Sequence, residues 1–237
     1  MGLLIDIGVA KTNKYASRES GDTAEVVARP TGGFSVVLSD GQGSGRAAKS
    51  LSQTVCARAV AMLKDGVRDG AVARGVQDAL FASRHGQVSA TLEIVSVDLR
   101  TQELIVSRFA EQPLLLSHGD EHDLVGIGGN PAGRYALARP FVIRRPLDAG
   151  LRVVVVSDGI AESGRRCAGH NFDLLPWAAA VPPESSAQET VDNLLAAALA
   201  HDAEKPYDDM TAVVVRIDRH DGGSNLVRRL SLRVPVS

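Results

Sequence analysis

Two runs of β-branched residues, Val153-Val154-Val155-Val156 and Ala212-Val213-Val214-Val215, limit most strongly what this chain can fold into. Neither alternates with polar residues, so neither suits a sheet with one face in water. Both predict central strands buried on two sides. A sheet covered on both faces needs a further layer against each. The chain can supply them, since 44% of its 237 residues are hydrophobic and 23% charged, an ordinary globular balance.

Other segments take their place around these strands. Phe34, Val36 and Leu38 alternate with serines, and Leu92 to Leu99 and Leu104 to Phe109 flank Arg100-Thr101-Gln102-Glu103, which predicts an antiparallel hairpin. Leu51, Val55, Ala59 and Met62 recur at helical spacing, as do Val72, Val76 and Leu80, predicting adjacent helices over 46–63 and 70–83. Ser186-Ala187-Gln188-Glu189 reads as a capping box ahead of a third helix through Val191, Leu194 and Ala198. The expected order is strands, two helices, a long run of strands, a helix and strands, without a Pro/Ser-rich linker. That order fits one α+β domain over residues 1–237. The segments 120–135 and 221–225 read as irregular, and 226–236 as an edge strand with Arg229 and Arg233 in water.

Charge and composition exclude several classes. There are 26 Lys and Arg against 28 Asp and Glu, a net charge of −2, so no overall basic field favours nucleic acid. The N-terminus lacks a basic segment before an apolar core, and no stretch approaches the roughly 20 apolar residues of a membrane span. The expectation is a cytoplasmic protein with no nucleic-acid or membrane partner. Cys56 and Cys167 are too few for a disulfide framework and are expected to be buried thiols.

The aspartates fall where the strands end. Leu38-Ser39-Asp40-Gly41 and Val156-Ser157-Asp158-Gly159 are nearly one phrase used twice, Asp208-Asp209 precedes the last valine-rich strand, and Asp22 precedes Ala24 to Ala28. One Asp-Gly after a strand is an ordinary turn. Four acid positions at four strand ends are harder to explain as independent turns. Neighbouring strands lie about 4.8 Å apart, so such acids would share one pocket. Crowded carboxylates either take up protons or bind cations, and their hard oxygens suit Mg²⁺ or Mn²⁺. Gly41 beside Asp40 would free a backbone carbonyl to turn toward the same ion. A rival reading of Gly41-Gln42-Gly43-Ser44-Gly45 as a phosphate-cradling loop is weak, because no Gly-Lys-Ser/Thr follows. His118 and His122 flank Gly119-Asp120 and read as surface residues of a polar loop, and Trp177 reads as a packing anchor.

As an ordered set, Ser20-Gly21-Asp22, Leu38-Ser39-Asp40-Gly41-Gln42-Gly43-Ser44-Gly45, Val156-Ser157-Asp158-Gly159-Ile160-Ala161-Glu162 and Asp208-Asp209-Met210-Thr211 resemble the metal-dependent protein phosphatases (protein phosphatase 2C-like). Within them, the resemblance is to the branch of stage II sporulation protein E and the sigma-factor partner-switching phosphatases. It implies a four-layer α-β-β-α sandwich of two mainly antiparallel sheets flanked by helices. It also implies two Mn²⁺ or Mg²⁺ ions, with Asp40 bridging them, the Gly41 carbonyl completing the first, and Asp158 and Asp208 holding the second. Asp22 would orient water, and Asp209 is the alternative to Asp208. The implied activity is hydrolysis of phosphoserine or phosphothreonine on a bacterial regulatory protein by a metal-activated water. The implied partner is a phosphorylated anti-sigma-factor antagonist or stress-complex component.

The chain departs from the family in three places. Gln42 and Gly43 stand where animal relatives carry a histidine general acid, and Arg18 is an insecure match for the phosphate-binding arginine, reading first as a solvated charge. Arg108-Phe109-Ala110-Glu111-Gln112-Pro113 replaces an Asn-Ala-Gly-His phrase. Because the two helices over 46–63 and 70–83 follow Asp40-Gly41 at once, a shift in their packing would move the bridging residue. The competing functions are a partner-binding module of the same fold and a small-molecule phosphomonoesterase.

Overall fold

Both valine runs are inner strands of one sheet and pair with each other, Ala212 opposite Val156 through Val215 opposite Val153. The computed structural model describes residues 2–126, 128–220 and 227–234. The first sheet has the order β1-β10-β9-β6-β7, made of β1 (Gly2–Thr12), β10 (Met210–His220), β9 (Leu151–Val156), β6 (Leu114–His118) and β7 (Glu121–Val125). The second has the order β2-β3-β4-β5-β8, made of β2 (Asp22–Ala28), β3 (Gly33–Asp40), β4 (Leu92–Asp98), β5 (Glu103–Phe109) and β8 (Phe141–Pro146). All the strand pairs are antiparallel.

Side-chain period explains why the valine runs are continuous. Val153, Val155, Val213 and Val215 point between the sheets, where they meet Val36, Leu38, Val95 and Val106. Val154, Val156, Ala212 and Val214 point outward against Val191, Leu194 and Ala198 of a helix, α5 (Ala187–His201). On the far side, Val37, Leu92 and Ile94 of the second sheet pack under α1 (Gly45–Lys64) and α2 (Asp69–Arg84), through Val55, Ala59, Leu63, Val72 and Val76. The result is the expected α-β-β-α sandwich. Each such buried valine stabilises it by roughly 1.5–3 kcal/mol. Two short helices, α3 (Asp158–Ala161) and α4 (Leu174–Ala180), complete the layer over the first sheet.

The helices lie within a residue of their expected ends, and the Ser186 capping box is formed with Glu189. Two buried ion pairs fasten the layers. Arg29 meets Asp69 at 2.9 Å and fixes the first residue of α2 to the sheet. Glu93 meets Arg108 at 2.6 Å, and Arg108 also donates to the carbonyls of Gln112 and Val125, linking the second sheet to the β6–β7 hairpin. Burial pushes the Glu93 carboxyl up to about 7 in spite of the adjacent guanidinium.

Several expectations needed correction. The N-terminal segment is an 11-residue strand whose interrupted apolar pattern gave no strand signal. His118 and His122 lie in the β6–β7 hairpin rather than in a loop, with only Gly119-Asp120 left as the turn and His122 Nδ1 at 2.8 Å from Ser117 Oγ. Part of the segment 120–135 is therefore strand, and 221–225 lies outside the described residues. Residues 227–234 are exposed and form no strand; positions 226, 235 and 236 are not described. Cys56 is buried as expected, whereas Cys167 is exposed, on a polar stretch after α3 that has no apolar period. Trp177 packs against the outer core of the first sheet and donates to Asn193 Oδ1 at 2.8 Å. Among the described residues, no helix is long and apolar enough to cross a membrane.

Candidate metal centre

The strand ends that carry the acids lie at one end of the sandwich, on both sheets. β2 begins on Asp22 and β3 ends on Asp40, and the antiparallel register sets these two residues directly opposite each other. On the other sheet, β9 runs into Asp158, the first residue of α3, while Asp208 and Asp209 lead into the adjacent β10. A hydroxyl joins the two sheets at this point: Thr211 Oγ1 of β10 donates to Asp22 Oδ2 at 2.5 Å. Lysines reach the same residue from two elements. Lys11 Nζ of β1 and Lys49 Nζ of α1 donate to the Asp22 carbonyl at 2.8 and 3.0 Å. The Lys11 ammonium is held below its usual range by desolvation and then by Lys49.

The carboxyls disturb one another as neighbours do. Asp40 is pushed up to about 9, first by burial and then by the charges of Asp158, Asp22 and Asp208. Asp158 rises to about 7 through burial and then Asp208, Asp22 and Glu162, with the Gly159 N–H opposing. Asp22 rises to about 6, mainly through burial, while the Thr211 and Ser157 hydroxyls and Lys11 hold it down. Asp22, Asp40 and Asp158 thus lie close enough to disturb one another, and the three cannot all ionise cheaply. Asp22 Oδ1 is buried without any hydrogen-bond partner. An orphaned carboxylate oxygen among crowded carboxyls fits a hard divalent cation better than any neutral group. Among the described residues, no three Asp, Glu, His or Cys side chains close around one point as a finished ligand cage.

The two adjacent aspartates before β10 differ sharply. Asp208 is half-exposed, lies 4.0 Å from Lys14 Nζ, and lines a cavity of about 450 Å³ with Asp158, Glu162, Arg166 and Tyr207. Asp209 is buried, and both its oxygens are taken: Oδ1 accepts from Lys14 N at 2.9 Å and Oδ2 from Gly21 N at 2.6 Å. It therefore pins both ends of the segment between β1 and β2, and so the approach to Asp22.

Gly41 is needed for a different reason from the one read in the sequence. It is not in the left-handed region; a Cβ there would stand 2.2 Å from the Ala48 carbonyl oxygen of α1. Gly159 is crowded in the same way, with the Asp209 carbonyl oxygen 2.2 Å from a Cβ. Glycine at these positions lets backbone pack against the segments that carry Asp40 and Asp158. Gln42, at the position of the family's histidine, accepts from Ser89 N at 2.9 Å and Ser89 Oγ at 3.2 Å, and so holds the approach to β4. His118 lies 3.4 Å from Asp148, opposite Leu151 at the other end of β9 from Asp158. Sequence reading gave no role to Thr211, Ser157, Lys11, Lys49 or Glu162. Thr211, Ser157 and Glu162 stood inside the quoted phrases, but the lysines carried no pattern.

A family model for stage II sporulation protein E (SpoIIE) matches residues 30–218. The chain belongs to the SpoIIE family. Stage II sporulation protein E of Priestia megaterium is 21% identical over 220 residues, which are 92% of this chain and 37% of that protein. The chain thus spans little more than a third of that SpoIIE's length. Among solved structures, the PP2C phosphatase domain of Bacillus subtilis SpoIIE with a fragment of its regulatory domain superposes with a TM-score of 0.81. It has 24% identity and covers 93% of this chain and 65% of its own. The RsbU and RsbW domains of Rv1364c from Mycobacterium tuberculosis superpose with a TM-score of 0.73, 19% identity, and coverage of 90% and 60%. The SpoIIE-type fold thus places the acid cleft at one end of a PP2C sandwich.

Proposed function

We propose that this chain is a metal-dependent protein phosphatase that hydrolyses phosphoserine or phosphothreonine on a bacterial regulatory protein. The observation that carries the reading is the set of facing carboxyls from both sheets, with Asp22 Oδ1 buried and unpartnered beside them. Asp40, the Gly41 carbonyl, Asp158 and Asp208 would hold Mn²⁺ or Mg²⁺, two ions being the expected number. The chemistry such ions supply is Lewis acidity, which offsets the phosphoryl charge and makes water acidic enough to attack near neutral pH.

The protein's own part is to position. Asp22, oriented by Thr211 and Ser157, offers a fixed acceptor to an attacking water. In this reading Asp208 is the ligand and Asp209, whose oxygens accept from the Lys14 and Gly21 N–H groups, acts as a clamp. Family membership supports a phosphorylated anti-sigma-factor antagonist or stress-complex component as the partner. Incubating the protein with Mn²⁺ and a phosphoserine protein should release phosphate, and Asp158→Asn should abolish the release. Release unaffected by that substitution would sink the reading. Turnover of an aryl phosphate but not of the phosphoprotein would favour a small-molecule phosphatase. Partner binding without turnover of either would favour a binding module.

A further inference from the structure

Beside the acid cleft lies a cavity of the opposite charge. It measures about 470 Å³ and is lined by Lys11, Arg18, Arg46 and Lys49, with Ser20 and a single carboxylate, Glu19, among the other residues. These cations come from three places in the chain: β1, the segment before β2, and the first two turns of α1. Among the described residues, none of the four forms an ion pair within 4.0 Å. Two of them are drawn together, since Lys11 and Lys49 donate to the same carbonyl, that of Asp22. Lys49 also reaches Thr23 Oγ1 at 3.4 Å. Four cations against one carboxylate around one concavity, in a chain of net charge −2, form a local field that attracts an oxyanion.

The position of the cavity says which oxyanion. Asp22 links the two sites without lining the cavity: it stands opposite Asp40 in the strand register, and its buried carbonyl receives two of the cavity's lysines. An extended peptide advances about 3.3 Å per residue, so a chain with its phosphoserine at the acid cleft has neighbouring residues within reach of the basic cavity. We propose that this cavity is a specificity subsite that binds an acidic side chain of the protein substrate, close in sequence to the phosphoserine. The inference rests on the phosphatase reading for the identity of the substrate, but anion binding at the cavity does not.

Two measurements test it separately. In the first, inorganic phosphate is titrated calorimetrically into the protein in excess EDTA. Saturable binding is expected, retained in Asp158→Asn and lost in the double variant Arg46→Gln/Lys49→Gln. No saturation, or saturation unchanged in the double variant, overturns the subsite whether or not the chain is a phosphatase. In the second, KM is compared for two phosphoserine peptides that differ only in Asp and Glu versus Asn and Gln beside the phosphoserine. The acidic peptide should have a KM lower by about tenfold, equivalent to about 1.4 kcal/mol, and the preference should vanish in Arg46→Gln, an exposed position that leaves folding intact. Equal KM values in the native protein overturn the assignment to a substrate side chain, and binding of phosphate alone then marks the cavity as a site for the free ion.

Discussion

The acid cleft and the basic cavity are linked through Asp22, whose carbonyl receives two of the cavity's lysines, yet the fold treats their charges differently. The carboxyls are short side chains on strand ends, held half-buried or buried, and three of them take protons far more readily than free aspartate does. The cations stand on long stems, Arg18 and Arg46 are exposed, and the clear cost of crowding falls on Lys11, which desolvation and Lys49 hold below its usual range. Crowding like charges therefore strains the acid side more than the basic side. An acid cleft built this way costs stability until a cation enters. A basic cavity can stay empty at a smaller cost.

The strongest test of that contrast is Asp40→Asn. It should reduce phosphatase activity to the background rate while raising the melting temperature of the metal-free protein, because it removes the carboxyl hardest to ionise. A lower melting temperature would show that the carboxyls are not in conflict. Arg108→Met probes the opposite case, a buried charge with its partner removed. Leaving Glu93 unpaired between the sheets should cost about 3–5 kcal/mol in denaturant unfolding, and the double variant with Glu93→Leu should recover most of it.

Asp209→Ala comes next. Two N–H groups lose their acceptor, for roughly 2–4 kcal/mol, and the freed segment before Asp22 should weaken Mn²⁺ binding by about 10–100-fold. Titration gives an effect with a definite sign. Asp22, Asp40 and Asp158 bind protons more tightly when folded, at about 6, 9 and 7 against 3.8 for the free group. The folded state thus holds the extra protons between about pH 4 and 9, so metal-free stability should fall as pH rises through that range. Mn²⁺ should restore it at the alkaline end. A metal-free melting temperature that is flat or rising over the range would break the contrast. At the small end, Arg46→Gln should change stability by no more than about 0.5 kcal/mol, as expected for an exposed charge.

Local chemistry made much of this architecture legible in advance. Helical spacing located α1 and α2, the Ser186 box located the start of α5, and the repeated Ser-Asp-Gly phrase located two of the acid positions. What stayed hidden depended on distant segments meeting. Asp208 and Asp209 are adjacent in sequence, and only the course of the segment between β1 and β2 decides that one faces a cavity while the other is filled by backbone N–H groups. Lys11 and Lys49 carried no signal because their convergence needs β1 of one sheet and α1 above the other to approach the same carbonyl. The β6–β7 hairpin was missed because its polar outer strand resembles a loop unless its partner strand is known.

The crowding at Gly41 and Gly159 also bears on which replacements a random library would tolerate. At those two sites the obstacle is volume, so even a single methyl should be rejected, and no change of handedness would help. Gly43, with φ of +98° and nothing within 4 Å of an added Cβ, has the opposite problem: space is free, but the backbone is turned the wrong way for an L-residue. Asparagine, or a D-alanine introduced by chemical synthesis, should therefore survive at 43 and fail at 41. Two glycines in one short loop would then be constrained for unrelated reasons, one by volume and the other by backbone handedness.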